Sequence, residues 1–173
     1  MKLDSTLSKW LILIVLSITW GSSFILMKWA LPHFSSLEIG SLRILFAALA
    51  LSPLLYKSLK SIKKHHWKYL LLFGLLGNTL PAILFATAQQ YISSSMAGIL
   101  NSTVPFFTLI VGLLVYKQKT KWWNVLGILI GFVGTILIIQ SSNPVGMDLG
   151  ENLKYASLIL LATFFYAINV NML

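Results

Sequence analysis

Residues 10–29 read WLILIVLSITWGSSFILMKW, an apolar run in which Lys28 is the only charged side chain. A helix needs roughly 20 mainly apolar residues to cross a hydrocarbon core of about 30 Å. A core-facing helix of a soluble protein would instead carry a polar face, with charged residues every few positions. The run reads as a transmembrane helix with Trp10 and Trp29 at the two interfaces, where amphipathic rings settle. It is expected to be a span and not a cleaved leader, because its apolar stretch is too long and no small-residue cleavage site follows it.

Five further runs of the same kind follow, at Ser36 to Leu55, Tyr69 to Ala88, Met96 to Tyr116, Trp122 to Gln140 and Tyr155 to Leu173. Of the 173 residues, 57% are hydrophobic and 10% charged, where a soluble domain would carry about a quarter charged. The fold class is therefore all-α, a polytopic membrane helix bundle of about six transmembrane helices. The connections between runs are too short to hold a folded extramembrane domain. With no cysteine, disulfides, thiolate nucleophiles and thiolate metal sites are excluded.

The chain has 13 Lys+Arg against 4 Asp+Glu. In a soluble protein that excess would point to nucleic acid, but here the basic clusters sit at the ends of apolar runs, so no nucleic-acid partner is expected. Basic residues near span ends stay on the cytoplasmic side. An N-terminus inside places Lys2, Lys9, Lys57, Lys60, Lys63, Lys64, Lys68, Lys117, Lys119 and Lys121 in the cytoplasm and leaves Lys28, Arg43 and Lys154 on or near the outer side. Trp10, Trp67, Trp122 and Trp123 then mark the inner interface, and Trp29 and Tyr155 the outer one. The expected location is the cytoplasmic (inner) membrane, multi-pass, with residues 1–9 as a cytoplasmic N-terminus and residues 141–154 as an outer loop.

Polar groups within the hydrocarbon need partners or water, so they mark helix contacts or a solute path. Trp20 lies roughly 15 Å beyond Trp10 along a helix, near the midplane, and Asn78 at a similar depth beyond Trp67. With Ser22, Ser23, Asn101, Tyr166 and Asn169 they form a candidate substrate cavity; the bland alternative is that each hydrogen-bonds a neighbouring helix. Pro81 and Pro105 fall inside the third and fourth spans, where each removes a backbone donor. Asn78 and Asn101 lie about one turn before them and could stabilise the opened backbone.

Arg43 sits on the order of 10 Å from the outer end of the second span. It could neutralise an anionic or zwitterionic substrate, pair with Glu38, or bind carbonyls at a helix end. Lys28 reads most simply as a snorkelling anchor, with a pair to Glu38 as the alternative. No carboxylate lies at the midplane: Asp4, Asp148 and Glu151 are terminal or in a loop, and Glu38 is near a span end. His65-His66 lacks the neighbouring ligands of a metal site, so no metal and no cofactor are expected. No H-E-x-x-H, G-x-S-x-G or phosphate-binding loop is present, which argues against an enzyme. Gly127, Gly131 and Gly134 suit close helix packing, within the chain or between subunits.

The sixth span looks like the first. Shifted by 146 positions, Thr19-Trp20-Gly21-Ser22-Ser23-Phe24 lies over Phe165-Tyr166-Ala167-Ile168-Asn169-Val170. Five spans separate the two starts, so a second unit would insert upside down relative to the first, as in the inverted repeats of many secondary transporters.

Trp20-Gly21-Ser22-Ser23-Phe24, Leu42-Arg43, Ser94-Ser95-Met96-Ala97-Gly98-Ile99-Leu100, Val104-Pro105-Phe106-Phe107-Thr108 and the Gly127, Gly131, Gly134 span, in that order and spacing, resemble one EamA repeat of the drug/metabolite transporter superfamily. The resemblance covers residues 10–140, a five-helix repeat, with residues 155–173 as the first helix of a truncated second repeat. It implies a ten-helix architecture of two repeats and export or exchange of a small-molecule solute through a central cavity. It also implies an Arg at position 43 whatever the substrate, which favours a structural role there. Where the family usually carries an acidic residue after the fourth span, this chain has Gln118 between Lys117 and Lys119. The expected partners are the solute, the bilayer, and a missing C-terminal repeat or a second copy in a homodimer. A lone half would lack the opposing cavity wall, and its sixth span would lack partners. The competing expectation is a six-helix structural or assembly protein without transport activity.

The topology is open to test by single-Cys labelling, since the chain has no native Cys. A Cys at Ser61 should react with an impermeant reagent only from the cytoplasmic side, and one at Asn143 only from outside. The reverse pattern at either position would invert or break the assignment.

Overall fold

The computed structural model describes residues 6–59, 62–141 and 149–172, and among them all regular structure is helical. The first span is α1 (Thr6–Ala30) and the second α2 (Ser36–Leu59). The third is built from α3 (Trp67–Gly74), a π-helical turn (Leu75–Thr79) and α4 (Leu80–Gln89). The fourth is split into α5 (Ser94–Asn101) and α6 (Val104–Leu114). Then come α7 (Trp122–Ser141) and α8 (Leu149–Asn171). Five stretches are long and apolar enough to cross a membrane, and α7 carries a shorter apolar segment, Trp122–Gly134.

The protein is thus a polytopic helical membrane protein, but two expected boundaries differ. The sixth helix begins at Leu149, ahead of Tyr155, because Leu149 to Lys154 continue the helix and do not form loop. The outer connection is shorter than 141–154, and its Pro144 and Gly146 lie outside the described residues, as does the start of the segment 1–9.

Pro81 and Pro105 each stand at the second residue of a helical segment, α4 and α6, near a helix start where proline is best tolerated. Ahead of Pro81 the backbone widens: the Leu80 N–H donates to the Leu75 carbonyl, five residues back. Ahead of Pro105 the helix breaks at Ser102 and Thr103, whose hydroxyls donate to the carbonyls of Ile99 (2.6 Å) and Leu100 (2.7 Å). Asn78 and Asn101 were expected to stabilise these openings. The groups found there are instead Thr79, which donates to the Gly74 carbonyl (3.3 Å), the two hydroxyls just named, and Asn169 from the sixth helix.

Far from lacking partners, α8 is the centre of the bundle, packed chiefly on α4 and α6 and also on α5 and the π-turn. Ile159, Ala162, Thr163 and Ala167 are fully buried along it. The small residues let the helices approach, and polar side chains then tie them together. Thr103 Oγ1 donates to Thr163 Oγ1 (3.2 Å), and Asn169 Nδ2 donates to the Phe73 carbonyl (2.8 Å). Asn171 Nδ2 donates to the Thr108 carbonyl (3.0 Å) and accepts at Oδ1 from Gln118 Nε2 (3.2 Å). Gln118 reaches that place because Lys117 adopts a left-handed backbone (φ 51) and the Gln118 N–H folds back onto the Gly112 carbonyl (2.9 Å). Gln118 therefore fastens the end of the fourth span to the sixth helix.

The core runs between α1, α4, α5 and α8 through Met27, Phe85, Ala86, Ala97, Leu100 and Ile159. Phe106 stacks on Phe132 (ring centroids 4.4 Å), joining α7 to α6. A Cβ added at Gly127, Gly131 or Gly134 of α7 would meet nothing within 4 Å among the described residues.

Gly77 is held by Asn169, since a Cβ there would lie only 2.7 Å from Asn169 Oδ1, whereas at Gly74 it would meet nothing within 4 Å. Gly77→Ala should lower the thermal midpoint of the purified protein, as overpacking costs about 1–3 kcal/mol, while Gly74→Ala should leave it unchanged or raise it. Equal midpoints for the two variants would refute the contact.

Candidate functional site

A few close contacts fix how the helices are aligned in depth. Phe24 of α1 lies against Gly98 of α5, where a Cβ would stand 3.7 Å from its ring. The Phe24 and Phe85 rings are 5.6 Å apart, and those of Phe85 and Tyr166 are 6.3 Å apart. A Cβ at Gly40 of α2 would press on Ile83 Cγ1 at 2.9 Å. These contacts put Phe24, Phe85 and Gly98 at one level, with Gly40 level with Ile83, while the Thr103–Thr163 and Asn169–Phe73 bonds set Tyr166 deeper along the bundle.

From that level the rise of about 1.5 Å per residue locates the rest. Trp20 lies one turn along α1 from Phe24 on the same face. Asn101 lies about one turn along α5 from Gly98, and Asn169 about one turn along α8 from Tyr166. Arg43 lies three residues along α2 from Gly40, level with the start of α4 and the neighbouring π-turn that carries Asn78. Arg43, Asn78 and Asn169 therefore lie beside the π-turn of the third span, Asn169 directly over Gly77, whereas the bond of Thr103 to Thr163, six residues before Asn169, sets Asn101 on the order of 10 Å from Asn169 along the bundle.

Their environments divide them. Asn169 is buried, with its amide on the Phe73 carbonyl. Tyr166 and Asn101 are half-buried. Trp20 is 64% exposed, although it shares a helix face with Phe24. Asn78 and Arg43 are also exposed. Ser22 is exposed with its hydroxyl on the Thr19 carbonyl (3.2 Å), and Ser23 is half-buried. An apolar hollow of about 340 Å³ between α6 and α8, lined by Val111, Leu114, Phe164 and Ile168 among others, includes none of these residues.

The charged residues fall out differently from the sequence alternatives. Glu38 takes neither Lys28 nor Arg43 as partner. Its Oε2 accepts from the Ser35 N–H (2.7 Å) and hydroxyl (2.8 Å), while the Glu38 N–H donates to Ser35 Oγ (3.3 Å). That reciprocal arrangement is a capping box, which uses the carboxylate to close the start of α2. Lys28 does not simply snorkel. Its Nζ donates to the carbonyls of Gln89 (2.5 Å) and Ile92 (3.0 Å), a cation at the C-terminal end of α4, where the helix dipole favours it. Arg43 remains, within electrostatic reach of the Tyr166 hydroxyl. No group of three or more His, Cys, Asp or Glu among the described residues could hold a metal ion.

Three contributors escaped the sequence reading. Gln89, assigned to a loop, is fully buried with Nε2 on Met27 Sδ (3.3 Å). Thr163 and Asn171 bind across helices. Their only signal was the recurrence of polar residues along one apolar run, Thr163, Asn169 and Asn171, which marks a helix that must find hydrogen-bond partners in lipid.

An uncharacterized transporter of Archaeoglobus fulgidus is 26% identical over 136 residues, covering 79% of this chain and 49% of its own length. The uncharacterized inner membrane transporter YedA of Escherichia coli K12 is 29% identical over 159 residues, 90% of this chain and 49% of its own length. An uncharacterized transporter of Buchnera aphidicola is 25% identical over 166 residues, 91% of this chain and 52% of its own. The chain spans about half the length of the curated relatives it matches. No solved structure matches it significantly. The model of the EamA-like transporter family matches residues 8–140, in the span order that the helices follow, and the chain belongs to that family.

Proposed function

We propose that the chain supplies the first five-helix repeat, and the first helix of a second, of a ten-helix secondary transporter that exports or exchanges small metabolites across the cytoplasmic membrane. The observation that carries the reading is the polar layer of Arg43, Asn78 and Asn169 beside the widened turn of the third span, together with the uncovered Trp20 of α1. Helices broken near the midplane and lined by polar side chains are how inverted-repeat carriers build a solute site. The residues of that set left uncovered in this chain, Trp20, Asn78 and Arg43, are the ones an opposing repeat would face across a cavity. Tyr166 and Ser23 would form its side toward the outer end, and Ser22 its edge. The opposing wall would come from a C-terminal repeat or from a second copy. An N-terminus in the cytoplasm follows from the distribution of Lys and Arg. The proposed activity is movement of an unaltered solute, without chemistry on it and without a cofactor.

Trp20→Ala in the full-length protein should reduce solute flux strongly while membrane abundance stays near normal. Removing a buried Trp typically costs about 3–5 kcal/mol, a loss that would show as missing protein, but Trp20 is 64% exposed in this chain. Parallel flux and abundance measurements decide, and unchanged flux at normal abundance removes Trp20 from the site.

Glu38→Gln should leave any dependence of flux on a pH gradient intact, because its carboxylate is engaged in capping α2. The variant should lose little stability, since Ser35 still caps α2 through its own hydroxyl. Gradient-driven flux abolished by this change alone would make Glu38 a coupling residue.

A further inference from the structure

We propose that Arg43 is the anchor for a carboxylate group of the transported solute. The inference rests on the transport reading above, deepens it by naming the chemical class of the solute, and departs from the structural role that the resemblance implies for Arg43 because no acid or carbonyl of the described residues holds it.

Ile39 and Gly40 are buried where α2 meets α4. Arg43 follows them by four and three residues, so it lies on the same face of α2, one turn deeper. There the helices no longer cover that face, and the side chain is exposed. It stands on the order of 10 Å below the outer end of the span, at a depth where a cation must meet water, a carbonyl or an anion.

The acid nearest in sequence is already engaged, because the Glu38 carboxylate accepts from the Ser35 N–H and hydroxyl. The other acidic residues, Asp4, Asp148 and Glu151, lie at the start of the chain or around the outer connection. The second cation of the spans, Lys28, is engaged by the carbonyls of Gln89 and Ile92. Arg43 is thus the one cation at this depth, among the described residues, that the chain leaves unengaged by an acid or a carbonyl.

Its planar fork of donors matches a carboxylate bidentately, and the Tyr166 hydroxyl lies within electrostatic reach of it. A single cation balances a single negative charge. A phosphate ester, carrying nearly two, would ask for another cation, and the described part of this layer holds none. The geometry therefore favours a carboxylate over a phosphate.

The test uses purified full-length protein and matched acid and amide pairs as probes: lactate and lactamide, leucine and leucinamide, succinate and succinamide. Binding is read by ligand-induced thermal stabilisation at fixed ionic strength, and flux is measured in proteoliposomes. At least one acid should stabilise the wild-type protein more than its amide. Arg43→Gln should weaken the apparent affinity for that acid by about tenfold or more, the scale of a hydrogen bond to a charged group, and leave the amide unchanged. Arg43→Lys keeps the charge, so it supplies the answer even if the Gln variant fails to fold, and it should weaken acid binding several-fold through loss of the bidentate geometry.

Three results would overturn the proposal. These are a wild-type protein that binds acids no better than amides, an Arg43 variant that keeps the full acid affinity, and equal weakening of acid and amide. The last would assign Arg43 to a partner within the protein. Flux of a solute in the wild type alongside any of these would leave the transporter reading standing, whereas a wild-type protein with neither binding nor flux would defeat both.

Discussion

The buried amide of Asn169 needs an acceptor, and the Phe73 carbonyl supplies it. An α-helix in lipid satisfies its own backbone, but the widened turn at Leu75–Thr79 and the missing N–H of Pro81 disturb the ladder there. A backbone group left unsatisfied in hydrocarbon costs several kcal/mol, while an interhelical hydrogen bond in a membrane protein contributes only about 0.6 kcal/mol on average. The asymmetry bears on the architecture: the bond adds little as a net gain, yet burying the Asn169 amide without an acceptor would be expensive. The helix α8 therefore docks where the Phe73 carbonyl receives that amide, and Gly77 is the residue that lets it come close enough. The bonds from Thr163 and Asn171 to the fourth span extend the same tie.

With α8 fixed, the rings of Phe24, Phe85 and Tyr166 meet in turn across α1, α4 and α8, and the depth of every other polar side chain follows from helical rise. The charged groups then sort by what the helix ends demand. Glu38 closes the start of one helix and Lys28 the end of another, contacts in which helix dipole and orphan backbone groups act in the same direction. Those two charges serve the fold. Arg43 sits mid-helix, where no orphan backbone group waits for it, and this separates it from them more firmly than depth alone.

The helical membrane fold was legible because it depends on composition and run length, which are local properties of the sequence. Five spans and the two proline interruptions could be placed for the same reason. The central position of α8 was not legible, because it depends on which helix offers the acceptors that the donors of another helix need, a relation between residues 96 positions apart in the case of Asn169 and Phe73. The roles of Glu38 and Lys28 were missed for a related reason. Pairing acids with bases by proximity in sequence ignores the stronger claim of helix termini, although Ser35-x-x-Glu38 was visible as a capping signature. In the candidate site, residue types and depth could be read, but exposure could not, since a helical wheel does not say which side a neighbour will cover.

Exposure separates two kinds of polar residue that the sequence lumps together. Thr103, Thr163, Asn169 and Asn171 have their hydrogen bonds inside the bundle, as helix-joining groups must in lipid. Ser22 and Thr19 satisfy their hydroxyls on their own helix, so they can face lipid at little cost. Trp20, Asn78 and Arg43 fit neither pattern, for they lie on uncovered faces. A guanidinium is the least tolerable of the three in hydrocarbon, at about 2.5–3.5 kcal/mol even on insertion scales, so its face cannot be a lipid-facing one in the working protein. Whatever covers Arg43 must therefore bring water or negative charge with it, and a purely apolar helix packed across this layer is ruled out on energetic grounds.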